Sequence, residues 1–118
     1  TKDERVIVNE LAPRPHNSGH YTIEACSFDQ FDAHIRGIAG WPLEQPELLK
    51  PAVMVNVLGQ HVAPTRALIA EHPEWSMHDY CKAEVRHDRK MGHITVLTND
   101  TKQTVADLER TGCWDDLK

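Results

Sequence analysis

The sequence is 118 residues long, and its composition is that of an acidic globular protein. Hydrophobic residues make up 40% of it, charged residues 26%, and the formal net charge at pH 7 is -5. A chain of this length can bury roughly two-thirds of its unfolded surface, in one domain or two small lobes. The net charge argues against general binding of nucleic acid, and no apolar run approaches the ~20 residues of a membrane span.

The first predicted element is a short buried strand, Val6 to Val8, followed by a loop that two prolines keep irregular. This loop and the strand end carry an acid, a guanidinium, two amides, a hydroxyl and two imidazoles, on Glu10, Arg14, Asn9, Asn17, Ser18, His16 and His20. Such a set is typical of a catalytic or binding site. The alternative is an ordinary solvated surface loop.

A helix is predicted next, because Ser27 and Gln30 form a capping-box pattern and Gly40 can end the helix. Its apolar residues recur at helical spacing, at Phe28, Phe31, Ile35 and Ile38. We expect this face to be core that packs on the strand Val6 to Val8. The proline-rich stretch 42–51 then marks a boundary between lobes 1–45 and 46–118.

The second lobe is predicted to be mostly antiparallel β. The apolar run 52–59 indicates a central strand, and Pro64 can begin a short helix. Alternation over Met77 to Arg86 and an apolar run over Gly92 to Thr98, with Ile94 and Val96 inward, predict a hairpin. Asn99 or Asp100 can then cap a last helix.

Four cations lie close together on the predicted hairpin, at Lys82, Arg86, Arg89 and Lys90. Lysine and arginine in such a cluster can bind a phosphate group through charge-assisted hydrogen bonds. The alternative is a solvated hairpin whose charges discourage pairing with other strands.

The cysteines and histidines raise the question of a metal site. Cys26, Cys81 and Cys113 form no CxxC pair, which is typical of reduced thiols in the cytoplasm. No secretory signal is expected at the start of the sequence. A zinc site would draw on His16, His20, Cys26 and His34. It is disfavoured because the two loop histidines are not predicted to lie on a helix.

Four motifs resemble, in order and spacing, the carboxyl-terminal part of 5-(carboxyamino)imidazole ribonucleotide synthase, an ATP-grasp ligase of purine biosynthesis. They are NELAPRPHNSGH, FDAHIRGIAGWPL, MVNVLG and YCKAEVRHDRKMGH, between about Val6 and Thr98. The resemblance implies an α+β fold: the last strand and helix of an ATP-grasp lobe, then a small mostly antiparallel β lobe with flanking helices. It also implies a cytoplasmic homodimer that uses ATP, Mg²⁺, bicarbonate and aminoimidazole ribonucleotide, and no nucleic acid or membrane.

The same resemblance assigns roles to individual residues. Asn9 and Glu10 match the ATP site, with Glu10 as a ligand of magnesium. Arg14 matches the electrostatic clamp on carboxyphosphate, and His16 a hydrogen-bond donor or proton-transfer group. The remaining matches are substrate-binding: Lys82 and Arg89 to the nucleotide 5′-phosphate, and Asn17 and Ser18 within the loop motif.

Two departures from the family pattern bear on these roles. The hairpin turn is His87-Asp88 where the family carries Pro-Gly, which affects the position of Arg89. Other parts of an ATP-grasp enzyme are not in the sequence, so we expect a fragment that is inactive alone. The alternatives are a formate-dependent glycinamide ribonucleotide ligase, a non-catalytic nucleotide-phosphate-binding module and a zinc-stabilised scaffold.

Overall fold

The computed structural model describes residues 7–8 and 10–115, and it confirms the α+β class. The helices and strands are α1 (Thr22–Ala25), α2 (Gln30–Ala39), β1 (Ala52–Leu58), α3 (Val62–Leu68), β2 (Trp75–Asp79), β3 (Lys90–Leu97) and α4 (Thr101–Arg110). Short 3-10 turns occupy Asn17–Gly19, Gly59–His61 and Ile69–Glu71.

The three strands form one antiparallel sheet in the order β1, β3, β2. The strand predicted to be central, β1, therefore lies at an edge, and the returning strand β3 takes the centre. Ile94 of β3 pairs with Val55 on one side and Met77 on the other. A central strand has no free edge, and β3 is buried from Met91 to Val96.

Both faces of β3 are covered, although only Ile94 and Val96 were predicted to point inward. Because alternate side chains of a strand lie on opposite faces, His93 and Thr95 point the other way, and they are also buried. The core on the Ile94 face includes Leu108 and Trp114. On the opposite face, His93 lies beside His20 of the amino-terminal segment.

Helix α4 begins at one of the two caps that the sequence predicted. The Asp100 side chain accepts a hydrogen bond from the Gln103 amide at 2.9 Å, which is an N-cap. Leu108 is buried in the core, and beyond the helix Trp114 contacts Trp75 edge to face, with ring centroids 5.9 Å apart. Leu108, and not Val105, which is 43% exposed, is thus the residue of α4 that enters the core.

The predicted strand over Met77 to Arg86 is wrong beyond Asp79. The Asp79 carboxylate accepts a hydrogen bond from the Cys81 amide at 2.8 Å, and Cys81 adopts a φ of 51°. A positive φ is incompatible with a continuing strand. Residues 80–89 consequently leave the sheet, and we call them the cation loop because it carries Lys82 and Arg89.

The N-cap of helix α2 lies two residues later than the sequence predicted. Asp29, not Ser27, is the N-cap, and its carboxylate accepts hydrogen bonds from the amides of Phe31 and Asp32 at 2.7 and 2.9 Å. Asp29 and not Ser27 caps the helix because the Asp29 carboxylate accepts hydrogen bonds from two amides of the first turn that have no partner within the helix. Gly40 ends the helix with a φ of 67°, as expected.

The predicted core on the apolar face of α2 is not formed by the described residues. Ile35 and Ile38 are 59% and 72% exposed, and Phe31 is exposed as well, whereas Phe28 is partly buried. The expected packing partner is missing, because the described part of that segment, Ile7 and Val8, is exposed and forms no strand. Val6 lies outside the described residues.

Candidate functional site

We call residues 11–20, which follow the first predicted strand, the polar loop. It contains a 3-10 turn, Asn17–Gly19, preceded by His16. His16 caps this turn: its Nδ1 accepts a hydrogen bond from the Ser18 amide at 3.3 Å and lies 2.9 Å from the Ser18 hydroxyl. The turn closes with hydrogen bonds from the amide of Gly19 to the carbonyl of His16 and from His20 to Asn17. Two predicted site residues, His16 and Ser18, are thus in direct contact.

Gln30, the first residue of α2, holds this loop in place. Its side-chain oxygen accepts a hydrogen bond from the His16 amide at 2.9 Å, and its nitrogen donates to the His16 carbonyl at 2.8 Å. The same nitrogen lies 2.5 Å from Nδ1 of His20. In the sequence, Gln30 fits only the capping-box pattern and gives no sign of this role, because a bond across fourteen residues leaves no local pattern.

The loop is joined to the sheet by a chain of side-chain hydrogen bonds. Nδ2 of Asn17 donates to Oδ1 of Asn56 on β1 at 2.8 Å. Oδ1 of Asn17 accepts from Nζ of Lys90, at the start of β3, at 3.2 Å. Asn56 was missed as a site residue, although one polar side chain in the apolar run AVMVNVL was an available signal.

Lys82 and Arg89 lie on the cation loop, close to this connection. Nζ of Lys82 donates to the backbone carbonyl of Lys90 at 2.6 Å and lies 5.7 Å from the centre of the Tyr80 ring. Nη1 of Arg89 donates to the Glu84 carbonyl at 3.3 Å. Lys90 therefore contacts the polar loop through its side chain and Lys82 through its backbone.

The turn His87-Asp88, which departs from the family pattern, is stabilised by hydrogen bonds to Gln60. Asp88 adopts a φ of 58°, the conformation that glycine favours, and aspartate tolerates it better than most residues. Its carboxylate accepts a hydrogen bond from Gln60 at 3.0 Å, and its amide donates to the Gln60 side chain at 2.9 Å. The turn that precedes Arg89 is thereby fixed without a glycine.

The other predicted site residues stand apart from this network. Arg14 is exposed, and its one hydrogen bond within the described residues goes to the Pro15 carbonyl at 3.1 Å. Glu10 is exposed and forms no hydrogen bond or ion pair with another described residue. Asn9 lies outside the described residues. The structure brings Asn17, Ser18, His16 and Lys82 to one region and leaves Glu10 and Arg14 exposed.

A cluster of histidines lies under the polar loop, and no local sequence pattern predicts it. His93 is 1% exposed; its ring lies 5.1 Å from that of His20, and its Nδ1 is 2.9 Å from the Tyr80 hydroxyl. Nε2 of His78 lies 2.5 Å from the Glu24 carboxylate. This cluster joins α1 to strands β2 and β3, so it fixes the polar loop against the sheet.

Burial determines the charge of this cluster. It lowers the pKa of His93 to about 4, with a smaller contribution from the positive charges of His78 and His20. Burial is also the main cause that lowers the pKa of His20 and raises that of Tyr80. His93 is therefore neutral at pH 7 and can accept or donate one hydrogen bond at each ring nitrogen.

The zinc alternative finds no support in the described part of the chain. No group of three or more His, Cys, Asp or Glu side chains there is placed to hold a metal ion. His16 and His20 are engaged with Ser18 and Gln30. Within the same residues, no helix has the length and apolarity needed to cross a membrane.

Comparison with known proteins matches two stretches of the chain to two domain families. Residues 52–107 match the family described as the phosphoribosylaminoimidazole carboxylase C-terminal domain, and residues 1–31 match the ATP-grasp domain. The chain is 55% identical over 104 residues to the N5-carboxyaminoimidazole ribonucleotide synthase of Staphylococcus saprophyticus. Over 87% of its length, the chain is thus similar to an N5-carboxyaminoimidazole ribonucleotide synthase. This confirms the resemblance found in the sequence.

Solved structures of the synthase family share the fold described above. The enzyme of Staphylococcus aureus in complex with ADP has a TM-score of 0.86 at 52% identity, and covers 93% of this chain. The enzyme of Aspergillus clavatus with ADP and 5-aminoimidazole ribonucleotide has a TM-score of 0.80 at 35% identity, also over 93%. The chain spans less than a third of each of these three relatives: 28% of the S. saprophyticus enzyme, 30% of the S. aureus structure and 31% of the A. clavatus structure.

The synthase family matches place the polar loop and the cation loop in different family domains. His16, Asn17 and Ser18 lie in the ATP-grasp match, and Lys82 and Arg89 lie in the carboxylase C-terminal match. The hydrogen bonds from Asn17 to Asn56 and from Lys90 to Asn17 cross between the two matches. The candidate site is therefore a junction between two domain types.

Proposed function

We propose that this chain supplies the carboxyl-terminal part of the site at which an ATP-dependent ligase carboxylates 5-aminoimidazole ribonucleotide. In the reaction, bicarbonate attacks the γ-phosphorus of ATP, giving carboxyphosphate and ADP. The exocyclic amine of the nucleotide then takes the carboxyl group, phosphate leaves, and 5-(carboxyamino)imidazole ribonucleotide forms. The observation that carries this proposal is the bond between Lys90 and Asn17, which joins the start of β3 to the polar loop, together with the bond from Lys82 of the cation loop to the Lys90 carbonyl.

The cation loop has the chemistry to bind the nucleotide 5′-phosphate. An ammonium group has three N–H donors and a guanidinium five. Lys82 uses one donor on the Lys90 carbonyl, and Arg89 uses one on the Glu84 carbonyl. Both side chains keep donors for a phosphate, and charge-assisted hydrogen bonds to phosphate are among the stronger ones in proteins. Lys82 and Arg89 are therefore the proposed phosphate ligands.

The polar loop has the chemistry to stabilise carboxyphosphate. Arg14 is exposed and keeps most of its guanidinium donors, so it can clamp the anion. His16 shares its Nδ1 with Ser18, which leaves Nε2 to donate a hydrogen bond or to move a proton. Asn17 and Ser18 complete the substrate-binding loop. Holding the amine and the carboxyl donor side by side lowers the entropic part of the barrier.

Glu10 and Asn9 are the proposed contribution to the ATP site. Magnesium is held by one or two carboxylates together with nucleotide phosphates, and it neutralises phosphate charge when bound. Glu10, an exposed carboxylate with no partner among the described residues, fits that requirement.

We also propose that the chain divides into two domains, 1–45 and 46–118, and that the complete protein is a cytoplasmic homodimer.

The test measures phosphate release from ATP by the product of the complete gene that encodes this sequence. Bicarbonate is present throughout, and 5-aminoimidazole ribonucleotide is added or omitted. We expect release to require the nucleotide, to be abolished in Glu10→Gln, and to need at least about tenfold more nucleotide in Lys82→Ala, since a phosphate contact is worth about 1.4 kcal/mol or more. Residues 1–118 alone are expected to release none.

Arg86→Ala is the matched control for Lys82→Ala. Arg86 lies on the same loop but is engaged in an ion pair with Glu84, and it is not a proposed ligand. An equal loss in both variants would contradict the assigned phosphate site. Release that is indifferent to the nucleotide would favour another ATP-grasp ligase, and replacing bicarbonate with formate would identify the glycinamide ribonucleotide type. Nucleotide binding without release would indicate a non-catalytic module.

A further inference from the structure

We propose that Asn56 is a positioning residue, which fixes the polar loop and Lys90 in the geometry that the nucleotide site requires. The inference deepens the proposed function and rests on it. Asn56 is not itself one of the proposed substrate-binding residues. It acts through Asn17, whose Nδ2 donates to Oδ1 of Asn56 at 2.8 Å.

Asn56 is itself rigidly held. It lies in β1, where it pairs with His93 of the central strand. Its backbone carbonyl accepts a hydrogen bond from the indole Nε1 of Trp114 at 2.9 Å, and Trp114 is buried in the core. A side chain anchored this way transmits the position of the sheet and the core to whatever it binds.

The hydrogen bonds also fix the orientation of the Asn17 amide. A side-chain amide has a donor end and an acceptor end, and an ammonium can only donate. Asn17 presents its oxygen to Nζ of Lys90 at 3.2 Å and its nitrogen to Asn56. Reversing this amide would place a donor against the ammonium and an acceptor against the Asn56 oxygen, so only one orientation satisfies both neighbours.

This arrangement gives the two lysines a common frame. Nζ of Lys90 uses one of its three donors on Asn17, and the backbone carbonyl of Lys90 accepts from Nζ of Lys82. Without the Asn56 oxygen, the Asn17 amide loses the contact that orients it, and Lys90 loses a fixed acceptor. The predicted result is a looser polar loop and a weaker hold on the anionic nucleotide.

The test is a double-mutant cycle of Asn17→Ala and Asn56→Ala in the product of the complete gene. We expect Asn56→Ala to raise the KM for 5-aminoimidazole ribonucleotide about fivefold to tenfold, as loss of one or two hydrogen bonds predicts. The KM for ATP should change less than twofold. If Asn56 acts through Asn17, the double variant will be no worse than Asn17→Ala, because residues in one network are not additive.

Amide hydrogen exchange gives a second readout that does not depend on activity. The amides of Gly19 and His20 donate to the carbonyls of His16 and Asn17 within the turn. They should exchange faster in Asn56→Ala and near the wild-type rate in Asn56→Asp, whose carboxylate keeps an acceptor for Asn17. Thr95→Val is the structural control, because Thr95 is fully buried and its hydroxyl has no partner among the described residues.

The outcomes separate this inference from the proposed function. If the wild-type protein shows no nucleotide-dependent release, the proposed function fails, and hydrogen exchange still decides whether Asn56 orders the loop. Unchanged exchange at Gly19 and His20 in Asn56→Ala overturns the inference. So do additive effects on KM, or a Thr95→Val variant that reproduces the changes.

Discussion

His78 and His93 stack face to face where β2 and β3 pair, with ring centroids 4.5 Å apart and planes 15° from parallel. Such a contact is favourable while at least one ring is neutral, because two imidazolium ions at this distance repel each other. His93 meets this condition, since burial lowers its pKa to about 4. The stability of the junction should therefore depend on pH.

We expect stability to fall as the pH is lowered from about 6.5 to about 4. The folded-state pKa of His93 is below the unfolded value. In this window the unfolded chain therefore binds a proton that the folded chain does not, which lowers the free energy of the unfolded state relative to the folded state. The stabilisation is fully present above pH 6.5. Its loss would approach about 3 kcal/mol, taking 1.36 kcal/mol per pKa unit. Urea unfolding between pH 4 and 8 measures it.

The matched variant for the pH experiment is His93→Gln, which keeps polarity but does not titrate. The other groups facing His93 are His20, His78, Tyr80 and Glu24, and the negative charge of Glu24 acts in the opposite direction. We expect the variant to be less stable at pH 7 and to lose most of the slope between pH 6.5 and 4. Equal slopes in wild type and variant would show that His93 is not the titrating group.

A methyl group at residue 59 should displace the cation loop. A Cβ built on Gly59 would lie 1.9 Å from the carbonyl oxygen of Arg86 and 2.5 Å from its carbonyl carbon. Backbone atoms cannot yield without moving the loop, so Gly59→Ala should cost about 1–3 kcal/mol of unfolding free energy. Because the loop carries Lys82, the KM for the nucleotide should also rise.

Gly37→Ala is the control for this experiment. Gly37 lies inside α2, and a Cβ there meets nothing within 4 Å. Alanine should therefore stabilise the protein by about 0.5–1 kcal/mol, because it restricts the unfolded chain and favours the helix. Chemical denaturation of both variants is the measurement. A Gly59→Ala protein as stable as wild type would mean that the cation loop approaches residue 59 less closely.

The Trp114 indole links the core to Asn56, and its removal should be costly. Trp114→Phe loses the hydrogen bond to the Asn56 carbonyl and some packing, about 1–2 kcal/mol, whereas Trp114→Ala should lose about 3–5 kcal/mol. Trp41 is 62% exposed, so Trp41→Phe should change stability by less than about 0.5 kcal/mol. Thermal or urea unfolding distinguishes them. Similar losses at both positions would contradict this placement of Trp114.

The exposed apolar face of α2 should govern self-association of this chain and not its stability. Ile35→Lys and Ile38→Lys remove apolar side chains that are mostly in solvent, so the unfolding free energy should change by less than about 0.5 kcal/mol. Aggregation at high concentration, measured by light scattering, should decrease. Ile94→Ala, a core control, should cost about 2–5 kcal/mol. A large loss in either lysine variant would mean that this face is buried.

Some features were determined by the sequence alone, because their causes lie within a few residues. The apolar run of β1, the Asp100 cap of α4 and the left-handed Gly40 at the end of α2 need only neighbouring residues. The family motifs were also local, and they identified His16, Asn17, Ser18, Lys82 and Arg89 as candidates. Their roles remain predictions.

Tertiary structure decided the rest. The alternation after Asp79 indicated a strand, but the Asp79–Cys81 hydrogen bond and a positive φ turned it into a loop. The helical spacing of Ile35 and Ile38 indicated a core, but burial requires a partner surface, which the described residues do not supply. Asn56, Gln30 and His93 meet the polar loop only after folding, since their contacts span many residues. Local patterns report what a segment can form, and only the packed chain determines which groups meet.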